Sequence, residues 1–355
     1  MSIYTYQLPP ELVALTPAEP RDSSRILVYD TTKDEISLDY FYNMYKYLPS
    51  DSLLVLNHTY VKPTRITLYK KTGGKVVCLL LLNEDSLVSN HIKVMVDRKI
   101  GDTEALFVDP TSHSLFGTVT SHLDGSLFMV ELSISSVELD RLLESQGKTP
   151  IPPYLSQSAL SEGELRSRYQ TVFAEKSSSL PFEGTSVAAP TASLHFTERV
   201  FASLSAKNVT QVPIRLDVGM GTFAPLQQAH LDSGKLHSER YQVSDSSAQL
   251  LKSAIERHQQ VIGVGTTAVR AVESWSARKQ RSGTDITDIF IRPGYQFQCI
   301  TGMITNFHIP ESSLMMLVQA FLEHKRAPRN ISELYQRAIK ERFRFYSFGD
   351  AMVIV

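Results

Sequence analysis

Two different rhythms share this chain, and the points where one gives way to the other constrain the fold most tightly. Six short apolar segments recur at 66–69, 75–82, 91–96, 105–108, 115–120 and 127–133. Turn residues separate them, among them Gly73-Gly74, Asp109-Pro110 and Asp124-Gly125. This is the spacing of a sandwich or small barrel. A helix closes the segment: Ser135 with Glu138 forms a capping box, Val137, Leu139, Leu142 and Leu143 supply the apolar face, and Gly147 suits the C-terminal cap. The remainder alternates instead, with strands at 212–218, 261–264, 286–291 and 351–355 and helices at 248–258, 268–279, 314–323 and 331–342. That alternation predicts an α/β domain with a covered sheet.

Prolines mark the junctions. Pro63 precedes the first short strand, and Thr149-Pro150-Ile151-Pro152-Pro153-Tyr154 must run extended, because each proline excludes a helical predecessor. The expected architecture is a mixed-sheet α/β domain built from residues 1–64 and 151–355, with a small β-barrel domain inserted at 65–150. A chain of 355 residues also exceeds what one core usually supports. Residues 176–186 read as a loop, either a flap or a surface insertion.

Composition narrows the function. Charged residues make up 21% and the formal net charge is −1, so any nucleic-acid contact must be a local patch rather than a basic domain. The two cysteines, Cys78 and Cys299, lie far apart and read as small buried hydrophobes. No His-x-x-x-His or clustered cysteine appears, so no metal site is expected. Residues 1–10 lack a basic and then apolar run, and 76–82 is too short to cross a membrane. A cytoplasmic protein is expected.

Five segments concentrate polar residues inside apolar context. In Ala188-Ala189-Pro190-Thr191-Ala192-Ser193-Leu194-His195-Phe196-Thr197, Thr197 can cap a following helix. His195 is there either a proton-transfer group or a core histidine in a tight turn. Gly219-Met220-Gly221-Thr222-Phe223 follows a strand, where α/β folds place ligands, although a plain tight turn fits equally well. In His237-Ser238-Glu239-Arg240-Tyr241 the imidazole and the carboxylate share one strand face. The run 261–270 carries Gly265-Thr266-Thr267 between a buried strand and a helix start, a cradle for an anion, with Arg270 one turn in. It matches neither the dinucleotide fingerprint nor the P-loop. The fifth set comprises Asp288, Pro293-Gly294-Tyr295, Thr305-Asn306-Phe307-His308-Ile309-Pro310 and Arg344-Phe345-Tyr346-Ser347-Phe348-Gly349-Asp350-Ala351-Met352.

One charge feature remains. No Asp or Glu lies between Ser52 and Asn83, while Lys62, Arg65, Lys70, Lys71 and Lys75 do. Lys71 and Lys75 are expected on one strand face, and the stretch is the first candidate for phosphate contact, with 325–344 the second.

Taken together, these segments resemble the S-adenosylmethionine:tRNA ribosyltransferase-isomerase family of queuosine biosynthesis. Further matching stretches are Pro20-Arg21-Asp22-Ser23-Ser24-Arg25, Thr72-Gly73-Gly74-Lys75-Val76, Pro152-Pro153-Tyr154 and Arg168-Tyr169-Gln170-Thr171-Val172. The resemblance implies that S-adenosylmethionine is consumed as a substrate, with no resident cofactor. Its ribosyl part passes to the aminomethyl group of 7-aminomethyl-7-deazaguanine at the tRNA wobble position and rearranges to give epoxyqueuosine, releasing adenine and methionine. A base must take a proton beside the sulfonium, an acid must assist adenine departure, and the amine must become neutral. By resemblance His195 or His308 is the base, and Glu239 or Asp288 the acid or amine partner. Arg270 with Gly265, Thr266 and Thr267 takes the methionine carboxylate, Phe223 or Phe307 stacks on adenine, and Thr191, Gly221, Thr222 and Asn306 complete the binding set. A monomer is expected.

The chain departs from the family pattern at Tyr60, Ser193, Asp217, Ala224 and Gly234, where lost cationic or imidazole groups bear on rate and substrate detail. The alternative function is a catalytically impaired descendant that binds tRNA or S-adenosylmethionine without turnover. A methyltransferase, the other alternative, would release S-adenosylhomocysteine rather than adenine, and the glycine-rich loop after an N-terminal strand is lacking.

Overall fold

A computed structural model describes residues 3–82, 90–111, 114–176, 185–219 and 226–355. In chain order, β1 (Arg25–Asp30), β2 (Glu35–Tyr40), β3 (Leu53–Asn57) and β4 (Tyr60–Val61) come first. The next six strands are β5 (Arg65–Lys70), β6 (Lys75–Leu81), β7 (His91–Val96), β8 (Ala105–Phe107), β9 (Leu115–Asp124) and β10 (Leu127–Leu132), closed by α1 (Ser136–Gln146). Then follow α2 (Glu162–Arg168), β11 (Thr185–Ser186), α3 (Glu198–Ser205), β12 (Thr210–Asp217), α4 (Gln228–Ser233), β13 (Lys235–Val243), α5 (Asp245–Glu256) and β14 (Val261–Val264). The last are α6 (Gly265–Ala277), β15 (Gly283–Ile289), β16 (Gly302–Asn306), α7 (Ser313–His324), α8 (Ile331–Lys340) and β17 (Ala351–Ile354).

Strands β5 to β10 close into a barrel in the order β10-β7-β6-β5-β8-β9, separate from a nine-stranded mixed sheet. The alternation of apolar and polar residues that announces these strands is used as expected: Ile66, Leu68, Val76, Cys78, Leu80, Val94 and Phe116 point inward, and Leu139 and Leu143 of α1 plug the same core. Leu79 and Leu81, on the outer face of β6, are buried against Val187. The Ser135–Glu138 capping box forms. Gly147 ends α1 as expected but for another reason, since its backbone is extended (φ −65°, ψ 151°) rather than left-handed. A Cβ there would stand 2.0 Å from the Pro63 carbonyl oxygen and 2.4 Å from that of Leu143. Only glycine lets the helix end lie on the proline crossing.

The sheet runs β15-β13-β12-β3-β14-β16-β17-β1-β2. Its inner strands are buried on both faces, so successive residues serve opposite layers. Leu53 and Val55 of β3 face the core under α5 to α8, while Leu54 and Leu56 face the core under α3. This two-sided burial explains why strict alternation does not delimit β1 or β3: Ile26-Leu27-Val28-Tyr29 and Leu53-Leu54-Val55-Leu56 are unbroken apolar runs. Strands β12, β3, β14 and β16 run parallel to one another, so their carboxyl ends meet at one edge. Of the loop read at 176–186, residues 177–184 lie outside the described residues, and Thr185–Ser186 pairs as β11 with β4.

Candidate active site

At that carboxyl edge opens a cleft of about 390 Å³. Three strand ends supply its floor: Val218 after β12, Gly265-Thr266-Thr267 after β14, and Asn306 to His308 after β16. This is where open α/β sheets bind ligands. The N-cap position of α6 is Val264, with no side-chain cap, so the first amides of a 13-residue helix stay available and its dipole favours an anion. Gly265 starts the turn at φ +81°, a left-handed conformation that side chains resist. The Thr267 hydroxyl is enclosed and has no hydrogen-bond partner among the described residues.

Arg270 and Glu239 meet here. The Glu239 carboxylate, 5% exposed, accepts from the Gly219 amide at 3.1 Å and from Nη1 of Arg270. Arg270 also donates from Nε to the Ile289 carbonyl at 3.4 Å, while its Nη2 is buried without a partner among the described residues. One guanidinium nitrogen is thus anchored by a carboxylate and the next is left free for a ligand acceptor, the fork geometry that suits a second carboxylate.

The two histidines occupy different depths. His308 lines the cleft; its Nε2 meets the Thr305 hydroxyl at 2.8 Å, its amide donates to the Tyr335 hydroxyl at 2.8 Å, and its carbonyl accepts from Tyr6. His195 sits one layer behind and does not line the cleft. Its Nε2 lies 3.4 Å from Nδ2 of Asn306, and its Nδ1 lies 2.9 Å from the Ser24 hydroxyl. The Asn306 carbonyl in turn accepts from Thr191 at 2.8 Å. Because an amide nitrogen can only donate, Nε2 of His195 is the acceptor and Nδ1 carries the hydrogen. The side chain is 4% exposed, and toward the cleft its ring meets the amide of Asn306.

Burial holds both imidazoles neutral. His195 is lowered to about 3 by burial and then by the cations Arg344 and Arg21, and His308 to about 4 by burial. The unfolded chain takes up these protons from about pH 6.5 downward, whereas the folded chain resists until pH 4 and 3. Stability is therefore full above pH 6.5 and is lost as pH falls toward 4, by up to about 1.4 kcal/mol per pH unit for each imidazole. Urea midpoints at pH 7, 5.5 and 4.5 are expected to fall in that order, and His195→Asn should flatten the decline. A midpoint that holds level across this range would mean the histidines are not kept neutral by the fold.

Other expected site residues stand apart from the cleft or turn their side chains into the core. Asp288 does not line the cleft; it takes Lys235 Nζ at 2.7 Å on the face of β15. The Phe307 ring is fully buried, with its centroid 5.4, 5.7 and 4.8 Å from those of Tyr335, Phe343 and Phe345. Gly221, Thr222 and Phe223 lie outside the described residues, as does Ala224. Of the other departures, Ser193 is buried with its hydroxyl unpartnered, and Asp217 is buried beside Thr59 at 3.1 Å. Tyr60 pairs in β4, and Gly234 closes α4.

The residue pattern did not single out an aromatic wall. Tyr154 and Tyr346 both line the cleft with centroids 4.9 Å apart, and the Tyr154 hydroxyl meets that of Ser347 at 2.6 Å. Tyr346 adopts φ +72°, a conformation a bulky residue adopts only where its surroundings enforce it. Its backbone is held on both sides: the Tyr346 amide donates to the Phe307 carbonyl at 3.1 Å and its carbonyl accepts from the Gly349 amide at 3.0 Å.

The acid-free basic stretch is dispersed. Lys62 is buried and paired with Asp140 of α1. Lys70 pairs with Glu104 at 3.4 Å. Lys71 to Gly74 form the turn between β5 and β6, so the shared strand face expected for Lys71 and Lys75 does not exist.

A family model described as "Queuosine biosynthesis protein" matches residues 1–354. The chain belongs to this family. A Fusobacterium nucleatum protein named S-adenosylmethionine:tRNA ribosyltransferase-isomerase is 36% identical over all of this chain and 96% of its own length. A Syntrophomonas wolfei protein of the same name is 38% identical, covering all of this chain and 97% of its own. The crystal structure of a Thermotoga maritima S-adenosylmethionine tRNA ribosyltransferase superposes over both full chains with TM-score 0.54 at 28% identity. Among the described residues of this queuosine biosynthesis protein, no group of three or more His, Cys, Asp or Glu could hold a metal ion, and no helix is long and apolar enough to cross a membrane.

Proposed function

We propose that this chain transfers and isomerises the ribosyl part of S-adenosylmethionine onto 7-aminomethyl-7-deazaguanine at the wobble position of a tRNA, leaving epoxyqueuosine in the tRNA with adenine and methionine released. The observation that carries the reading is the cleft itself. In a chain that belongs to the family and spans nearly the whole length of its named relatives, it gathers an uncapped helix start, a half-engaged arginine, an amide and a neutral imidazole at one sheet edge. The glycosidic bond to adenine, the C5′–sulfonium bond and one bond of the ring oxygen break. One sugar carbon bonds the amine nitrogen, C5′ bonds C1′ to close the carbocycle, and the ring oxygen bonds C5′ as the epoxide. Protons leave C5′ and the amine, and one is taken up by adenine.

In this reading the methionine carboxylate sits against the α6 amides, the Thr267 hydroxyl and Nη2 of Arg270, where each unpartnered donor gains an acceptor. The sulfonium lies near the faces of Tyr154 and Tyr346, which attract cations. His308 takes the proton beside the sulfonium, being neutral at physiological pH and in the cleft. Asn306, held by Thr191 and His195, offers its amide to the sugar or the base. S-adenosylmethionine is spent as a substrate, the tRNA places the reaction in the cytoplasm, and one protomer holds the whole cleft. The barrel at 65–150 and the α/β remainder are read as two domains meeting at the Pro63 and Pro152 crossings.

The test is adenine release. Purified protein, S-adenosylmethionine and a tRNA carrying the aminomethyl deazaguanine should give adenine and methionine in equal amounts, with a tRNA mass gain matching the transferred unit. Binding of both substrates without adenine would instead identify a descendant without turnover, and S-adenosylhomocysteine would identify methyl transfer.

A further inference from the structure

On the outer face of the barrel lies a second concavity of about 440 Å³, formed where β5 and β6 meet the end of α1. Its walls carry Arg65, Thr67 and Tyr69 of β5, which alternate outward while Ile66 and Leu68 fill the barrel core. Lys148 closes the far side and is exposed. Lys75 stands directly across the ladder from Tyr69. The acidic residue on this rim, Asp109, bends into its own turn and accepts the amide and hydroxyl of Thr111 at 2.6 Å each. Glu162, the acidic neighbour of Arg65, is held by Thr149 and Arg166.

The concavity connects to the cleft through the chain itself. Arg65 and Lys148 exchange backbone hydrogen bonds at 3.1 and 2.7 Å, and an Arg65 Nη donates to the Ile151 carbonyl at 3.1 Å. The next residue, Pro152, lines the catalytic cleft. Four residues of extended chain span at most about 14 Å, so one polymer can touch both places.

We propose that this concavity is a second RNA contact, in which Arg65 and Lys148 take backbone phosphates and Tyr69 stacks on an unpaired base of the same tRNA whose wobble nucleotide enters the cleft. The inference rests on the proposed function. Cation and aromatic ring together are the chemistry of single-stranded RNA, whose phosphates need charge and whose bases need a flat apolar face. A purely structural arginine would leave the tyrosine and Lys148 without a role.

Arg65 also braces Ile151, so the informative variants are Tyr69→Ala and Lys148→Ala, with Lys252→Ala on the exposed side of α5 as a control that removes the same charge elsewhere. Binding of the tRNA transcript is measured between 50 and 200 mM salt, and binding of S-adenosylmethionine alone reports the integrity of the cleft. Tyr69→Ala should weaken tRNA binding roughly 5- to 100-fold with little change in salt slope. Lys148→Ala should lower the slope by roughly 0.7, and Lys252→Ala should do neither. Equal effects from Lys148 and Lys252 would reduce the site to net charge and overturn it. So would intact tRNA binding in both barrel variants, or loss of S-adenosylmethionine binding alongside it. If the wild-type protein releases no adenine, the functional reading fails first, and that outcome is distinct from all of these.

Discussion

Replacing His308 with alanine is expected to slow adenine release roughly 10²- to 10⁴-fold, the cost of losing a general base. Its imidazole lines the cleft, is oriented by Thr305, and is kept neutral at physiological pH by burial, the protonation state a general base requires. His195→Ala should behave differently. That ring reaches the cleft only through Asn306, so its loss should loosen the amide, lower the rate by a smaller factor and cost stability through the cavity it leaves. Single-turnover rates for both variants, with tRNA and S-adenosylmethionine saturating, decide between them. Should His195→Ala lose the larger factor with its S-adenosylmethionine affinity and urea midpoint intact, the proton would pass through the deeper ring and the assignment would be reversed.

The second large effect belongs to the buried ion pair. Arg270→Ala should cost about 3–5 kcal/mol of stability, because Glu239 is then left charged and enclosed with the Gly219 amide as its remaining partner among the bonds described. It should also weaken S-adenosylmethionine binding, since the free Nη2 goes with it. The double variant Arg270→Met, Glu239→Gln removes both charges and should recover most of the stability while adenine release stays low. Urea denaturation of the wild type, Arg270→Met, Glu239→Gln and the double variant gives the coupling. A coupling near zero would mean the pair is solvated and carries neither role.

What could be read from residues alone follows the range of the interactions concerned. The barrel strands and the capped helices declare themselves within a dozen residues, because pleat alternation and capping boxes are local devices. The Gly265-Thr266-Thr267 cradle was legible for the same reason: strand, turn and helix start are contiguous. Glu239 and Arg270 were each nominated, but as carboxylic acid and carboxylate binder in separate roles. Their pairing needs β13 and α6 to be neighbours, and nothing local says so. The depth of His195 is likewise a tertiary fact, for a histidine before a helix start reads alike as reagent or prop until Asn306 is seen in front of it. Phe307 misleads because its motif faces the cleft while its own ring turns into the core. Lys62 misleads in the opposite sense, reading as surface charge when its partner Asp140 waits on a helix beyond the barrel.

The position of β17 between β16 and β1 has a consequence for how the protein is made. Of the strands described, β1 and β2 leave the ribosome before the rest and β17 after them, yet β17 bridges the first two to the remainder of the sheet. Until Ala351–Ile354 emerges, the nascent chain can hold a hairpin and a six-stranded partial sheet with an uncovered edge between them. The barrel is under no such restriction, because all of its strands and its plugging helix are contiguous in sequence. The order implied is a module that matures while translation continues, and a catalytic body whose strand edges remain open to wrong partners until Ala351–Ile354 has emerged.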